Sequence, residues 1–196
     1  AEINPRRPRI ERDDDTLTSF VPMAAVDEVR GEFSRIEIKP YREVKRGFTY
    51  FEENDVVFAK ITPSMQNGKS AVARKLIDGF GFGTTEFHVI RAKGTVLPEW
   101  IHQFVRQRHF LLEAMKHFRG AVGQQRVPAE FLANYQIPVP HPNDPQKSLV
   151  IQQQILEQMK TVQEEVWEMI DDLKAEQTLL DNLEQAVLAQ AFRGEL

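Results

Sequence analysis

Along the last quarter of the chain apolar residues recur at Ile155, Met159, Val162, Val166, Met169, Leu173, Leu180, Leu183 and Val187. The steps alternate four and three, the mark of a heptad seam, with one omission where Glu176 and Gln177 fall. After Pro145, at the end of the run IPVPHPNDP, no Gly or Pro occurs until Gly194. One helix is therefore expected, and at roughly 45 residues it would be about 70 Å long, more than the width of any domain the preceding sequence can build. Most of it must protrude. Leu156, Trp167, Ile170, Leu179 and Leu188 widen the stripe, so the helix calls for partner helices. Because the stripe is interrupted, a short two- or four-helix contact is expected rather than a long uniform coiled coil. The plain alternative, a helix folded back on its own domain as core, lacks a second long helix to pair with.

Upstream the period changes. Residues 1–15 read as irregular, with Pro5, Pro8 and the run Asp13 to Asp15, and SFVPMAAV from Ser19 to Val26 begins the folded body. Ile36 and Ile38 alternate with Glu37 and Lys39, which predicts a strand with its apolar face half-buried, ended by Pro40. In RGFTYFEENDVVFAKI, Asp55 precedes Val56, Val57 and Phe58, and an inner strand is expected to emerge at Lys60. Ser70–Ala73 and Thr85–Arg91 read as further strands, separated by the glycine-dense turn DGFGFG, whose alternating glycines suit a bulge or a close backbone approach. Trp100, Ile101, Phe104, Val105, Leu111, Leu112 and Met115 fall at helical spacing, predicting one amphipathic helix over Pro98–Phe118 with Gly120 beyond its end. A short helix over Val127–Tyr135, a closing edge strand at QIPVP and a hinge at HPNDP complete the domain. The fold class is thus α+β: a mixed β-sheet domain over residues 1–143, followed by a long protruding C-terminal helix over 144–196.

Composition narrows the chemistry. The absence of Cys removes disulfides, thiolate nucleophiles and cysteine metal sites, and fits a reducing cytoplasm. No apolar run approaches a membrane span and the charged start AEINPRRPRIERDDD is no signal peptide, so a soluble protein is expected. With Ala at position 1, the start is either processed or a point within a longer chain. The formal charge of −4 argues against a nucleic-acid partner until it is divided. From Pro145 onward there are four Lys and Arg against ten Asp and Glu, a net of −6, which leaves 21 basic and 19 acidic residues, a net of +2, and all five His before it. The acid belongs to the helix, and the body can carry a local basic face.

Most motifs fall away on inspection. GFGFG resembles a nucleotide-binding turn, but such a turn must open a helix and TTEFHVI reads as strand. INPRRP has only the first two letters of an adenine methyltransferase tetrapeptide. Asp27 with Glu37-Ile38-Lys39 forms a loose nuclease pattern that an ordinary strand explains equally well. His102 and His109 share a helix face with Arg106, which reads as a solvated basic face. Two loops stand out instead. TPSMQNGK carries Thr62, Ser64, Gln66, Asn67 and Lys69, and GAVGQQR carries Gln124, Gln125 and Arg126. Gln and Asn can pair with adenine and Arg or Lys with guanine, while Lys60, Arg106, Arg108, Lys116 and Arg119 nearby could hold phosphates. Polar loops are also ordinary wet surface.

The order of the pieces weighs on that choice. NDVVFAKITPSMQNGKSAVA, then GFGTTEFHVIR, then GQQRVPAEFLANYQIPVP, and last a long helix ending LEQAVLAQAFRGEL, together resemble one half of the DNA specificity subunit of type I restriction-modification systems, from Asn4 to Leu196. In that family a target recognition domain is followed by a helical region, usually twice per chain, and each recognition domain reads half of a split site in double-stranded DNA. The family commonly begins with a short apolar segment ahead of the position matching Asn4, which is absent here. With one domain and one helix, this chain is expected to be a half-length subunit or a fragment that pairs as a symmetric homodimer through antiparallel helices. The resemblance implies no catalysis and no cofactor of its own. It implies as partners methyltransferase subunits, which carry S-adenosylmethionine and modify adenine, and an ATP-dependent restriction subunit. The helix would be a ruler between two recognition domains, its acidic surface a docking face for protein. Two rivals are an assembly adaptor whose helix is its whole function, and a recognition module cut from a fused restriction-methylation enzyme.

Overall fold

A computed structural model of the chain describes residues 1–121 and 123–194; Val122 of the GAVGQQR sequence, and Glu195 and Leu196, the last two residues of the helix expected over 144–196, lie outside the described residues. In chain order the elements are β1 (Glu2–Ile3), β2 (Leu17–Val21), β3 (Val26–Asp27), β4 (Glu32–Phe33), β5 (Glu37–Pro40), α1 (Tyr41–Val44), β6 (Thr49–Glu52), β7 (Val56–Ala59), β8 (Ser70–Val72), β9 (Phe80–Gly83), β10 (Phe87–Arg91), α2 (Pro98–Val105), α3 (Arg108–Lys116), α4 (Ala129–Asn134) and α5 (Pro145–Arg193). The class is α+β. None of the described helices is long and apolar enough to cross a membrane.

One antiparallel sheet has the order β1-β10-β7-β8; a second, mixed sheet has the order β5-β2-β9-β6, with β2 and β9 parallel; β3 and β4 form a small hairpin. Strand β7 shows why VVFA is apolar at every position. Val56 and Phe58 join Ile90, Ile101, Phe104 and Phe110 in a core under the helices, whereas Val57 joins Val21, Phe51 and Val89 on the other side of the sheet. A strand covered on both faces has no polar phase.

Several expected elements take another form. The run 98–118 is two helices, because Gln107 is extended (φ −66°, ψ 136°). In one helix Phe104 and Phe110, six positions apart, would point to different sides; the break brings their rings to 5.7 Å within one core. GFGFG is largely strand. Gly81 and Gly83 of β9 let neighbours close in, since a Cβ at Gly83 would stand 2.8 Å from Phe87 Cε2 and from the Val21 carbonyl oxygen. The close approach was legible; the turn is confined to Ile77–Gly79. QIPVP forms no strand, as its prolines cannot donate to a ladder; Ile137 and Val139 pack on the core and the Pro138 carbonyl accepts from Trp100 Nε1 at 2.9 Å. Residues 1–15 are not wholly irregular, since Glu2 and Ile3 pair with Arg91 and Ile90. Along β5 the covered side is the polar one: Lys39 Nζ stands 4.0 Å from the Phe20 ring centroid, and Ile38 is exposed. His102 and Arg106 are not a solvated face, because His102 is buried and Arg106 donates to the backbone carbonyls of Glu28 and Val29.

The chain divides into two units, Ala1–Gln152 and Gln153–Leu196. The first turns of α5 belong to the first unit. Asp144 Oδ1 accepts the Lys147 amide at 3.1 Å, Ser148 and Gln152 are buried, and Gln152 Oε1 accepts the Leu97 amide at 2.9 Å. From Gln153 on, α5 continues as helix to Arg193. Val162, Val166, Met169, Leu173, Leu180, Leu183 and Val187 are all exposed, as is Met159 at the margin, while Ile155 is half-buried.

Candidate nucleic-acid interface

The two loops singled out from their side chains are joined through the backbone. The TPSMQNGK loop is wound on itself: the Met65 amide donates to the Ile61 carbonyl at 2.9 Å and the Lys69 amide to the Ser64 carbonyl at 3.1 Å. Met65 is fully buried and anchors it, and Gly68 takes φ +72°, so the chain can turn back towards β8. Gln66 and Asn67 are left exposed beside that anchor. The GAVGQQR loop is closed by reciprocal bonds between Arg119 and Arg126 (3.0 and 2.9 Å). An antiparallel bridge between Ile61 and Arg126 then couples the loops, with the Thr62 amide donating to the Gln125 carbonyl and the Val127 amide to the Lys60 carbonyl, both at 2.9 Å. A surface of both loops follows from β7 and β10, whose register sets Ala59 opposite Phe87 and delivers Lys60 beside Glu86.

Placement differs among the candidates. Gln66, Asn67 and Gln124 are exposed, Ser64 and Gln125 half-exposed. The Thr62 hydroxyl is buried without a partner among the described residues. Lys69 Nζ donates to the Val26 carbonyl at 3.0 Å and stands 3.9 Å from Glu28 Oε2. Arg119 pairs with Glu130 at 3.5 Å, and Lys116 with Glu113 at 2.6 Å. Arg126 is bound to Glu86 through Nε and Nη2, each at 2.8 Å, and to the Gln124 carbonyl through Nη1 at 2.8 Å. These bonds hold the Glu86 carboxyl below its usual range and raise the Arg126 guanidinium. A guanidinium has five N–H groups, so one remains on each of Nη1 and Nη2, enough for a bidentate contact to a guanine edge.

Two carboxylates escape sequence reasoning, and His102 with Arg106 is misread by it. Glu86 steadies Arg126, and Glu28 reaches Asn67 Nδ2 at 3.1 Å. No local spacing announces partners 40 and 39 positions apart. Arg106 Nη2 donates to the carbonyls of Glu28 and Val29 (3.1 and 2.7 Å), and burial lowers His102 beside it to about 4, so it is neutral at pH 7. Arg106 thus serves the protein backbone, whereas the sequence suggests a phosphate contact; His109 alone of the three is exposed. Asp27 caps a turn by accepting the Val29 and Arg30 amides (2.8 and 2.9 Å), and Glu37 pairs with Lys39 and Arg35.

Comparison with known proteins adds to this geometry. The family model for the type I restriction modification DNA specificity domain matches residues 1–183. The type I restriction enzyme EcoEI specificity subunit of Escherichia coli is 39% identical over 152 residues, 76% of this chain and 25% of that protein. The EcoAI specificity subunit of the same organism is 36% identical over 153 residues, 77% of this chain and 25% of that protein. The chain therefore spans about a quarter of the length of these relatives. Among solved structures, a chain from work on the assembly and conformational transition of the type I R-M system superposes with a TM-score of 0.69 at 23% identity, covering 91% of this chain and 44% of that one. The HsdS subunit from Thermoanaerobacter tengcongensis gives 0.64 at 21%, covering 80% and 38%. Those two likenesses speak for the fold, while the family match runs from the first residue through most of the helix: the chain belongs to the family of type I restriction-modification DNA specificity domains.

Proposed function

We propose that this chain is the sequence-reading part of a type I restriction-modification specificity subunit, recognising one half of a bipartite site in double-stranded DNA. Residues 1–143 form the reading head and 144–196 the spacer. The observation that supports the reading is the backbone bridge between Ile61 and Arg126, which ties together the two loops whose side chains have base-pairing chemistry. Gln66, Asn67, Gln124, Gln125 and Arg126 contact bases, with Lys60, Lys69 and Arg119 on phosphates and Thr62 and Ser64 within the same loop. The chain performs no catalysis and needs no cofactor of its own. It acts in the cytoplasm with methyltransferase subunits and a restriction subunit. Two copies pair through the apolar stripe of α5 from Ile155 to Val187, so that helix length sets the gap between half-sites. The exposure of that stripe supports the pairing.

Replacing Arg126 by Ala removes one bidentate contact and relaxes preference at one base pair by roughly 5- to 150-fold. Replacing Lys60 by Ala weakens all sequences alike and lowers the salt slope by about one. A filter-binding series over salt and single-base variants measures both. Unchanged affinity and preference in both variants contradict the loop assignment.

A further inference from the structure

A third segment meets the paired loops. Between β3 and β4 the chain makes a hairpin whose tip, Glu28 to Arg30, is exposed. Asp27 caps the turn from inside, the Gly31 amide donates to the Asp27 carbonyl at 2.9 Å, and Gly31 takes φ +71°. The tip is clamped from below by the two bonds from Arg106 Nη2 to the Glu28 and Val29 carbonyls. The clamp is close enough that a Cβ at Gly31 would stand 2.4 Å from Arg106 Nη1 and 2.9 Å from His102 Cε1. Such a tip holds its position rather than drifting with solvent.

From that tip the Glu28 carboxylate reaches the TPSMQNGK loop, where Oε2 accepts from Asn67 Nδ2 at 3.1 Å. An ionised carboxylate only accepts, so the amide must turn its nitrogen, and not its oxygen, towards Glu28. The side-chain amide has two N–H groups. Adenine readout uses the oxygen and one N–H together, which leaves the second for a protein neighbour. An exposed amide without such a neighbour turns over freely and presents donor and acceptor in either order. A carboxylate 3.9 Å from Lys69 Nζ meanwhile repels DNA phosphates. Its presence is accounted for if it orders the amide.

We infer that Glu28 is a positioning residue of the reading surface: by holding Asn67 Nδ2 from a hairpin clamped by Arg106, it fixes the order in which the Asn67 amide presents donor and acceptor to a base pair. The inference rests on the proposed reading of the two loops as a DNA surface.

The test selects duplex DNA with a randomised centre on the full chain, then measures competition between the selected sequence and its single-base variants for the wild type, Glu28→Ala, Glu28→Gln, Asn67→Ala and the double variant Glu28→Ala with Asn67→Ala. Asn67→Ala loses roughly 5- to 150-fold of preference at one base pair. Glu28→Ala loses preference at that same pair and no other, and the double variant is no worse than Asn67→Ala alone. Glu28→Gln keeps the preference, because its amide oxygen still accepts from Nδ2, and binds every sequence more tightly because the repelling charge is gone. Full preference retained by Glu28→Ala at every pair overturns the inference, as does equal tightening by Ala and Gln with preference intact, which makes Glu28 a charge and nothing more. A wild-type chain that enriches no sequence overturns the parent reading and this inference with it, an outcome distinct from a selective wild type that ignores changes at Glu28.

Discussion

If two copies pair through the apolar stripe of α5 as proposed, changing Val166 and Leu173 together to Asp should convert the dimer to a monomer. Both side chains are exposed, at 46% and 58%, on a helix of 49 residues whose apolar stripe repeats at heptad steps. Burying one such aliphatic side chain is worth about 1.5–3 kcal/mol. A symmetric pair buries four of them, so the double change forfeits about 6–12 kcal/mol before any cost of placing carboxylates at the seam. At about 1.4 kcal/mol per factor of ten, the dissociation constant rises by four orders of magnitude or more. Pairs such as Lys160 with Glu164 at 3.6 Å, worth a few tenths of a kcal/mol each, cannot offset this. Sedimentation equilibrium measures the outcome. A wild-type monomer, or a variant that stays dimeric, removes the stripe as the pairing surface.

The second large effect lies in the head. Asp55 is buried and accepts from Arg91 Nε and Nη2 at 2.8 and 2.7 Å and from the Glu52 amide at 2.8 Å. Replacing Arg91 by Ala strands that carboxylate, and breaking a buried pair from one side costs about 3–5 kcal/mol. For a unit of this size each kcal/mol moves the midpoint by about 2–4 °C, so thermal unfolding should fall by roughly 6–20 °C. Replacing Arg91 by Met together with Asp55 by Asn recovers part of the loss, because neither partner is then a lone buried charge. Urea unfolding of the three proteins checks this, and a loss under about 1 kcal/mol for Arg91→Ala contradicts it. Base preference should be unchanged in the folded variant, since Asp55 and Arg91 lie at the far ends of β7 and β10 from Lys60 and Glu86.

How much of this was legible in the sequence follows from what each feature depends on. The helix was readable because its stripe repeats, and β7 because a strand buried on both faces has to be apolar throughout. The break at Gln107 was not, because no Gly or Pro marks it and its cause, the meeting of Phe104 and Phe110, is tertiary. Phe80–Gly83 looked like a turn because glycines usually make turns; here they make room for Phe87 and the Val21 backbone. In the candidate interface the donors and acceptors of the two loops could be picked out from side-chain chemistry. Their shared bridge could not, nor could Glu28 and Glu86, since a contact closed between segments some 40 positions apart leaves no trace in local spacing. Arg106 misled for the same reason, being a cation whose ligands are backbone carbonyls of a distant hairpin.

The most direct measurement is selection from duplex DNA with a randomised centre by the wild-type protein and by Arg126→Ala. A head that reads sequence through the joined loops enriches one short motif, and the Arg126→Ala protein enriches the same motif with one base pair relaxed. No motif from the wild type, or a motif left whole when Arg126 is removed, contradicts the account.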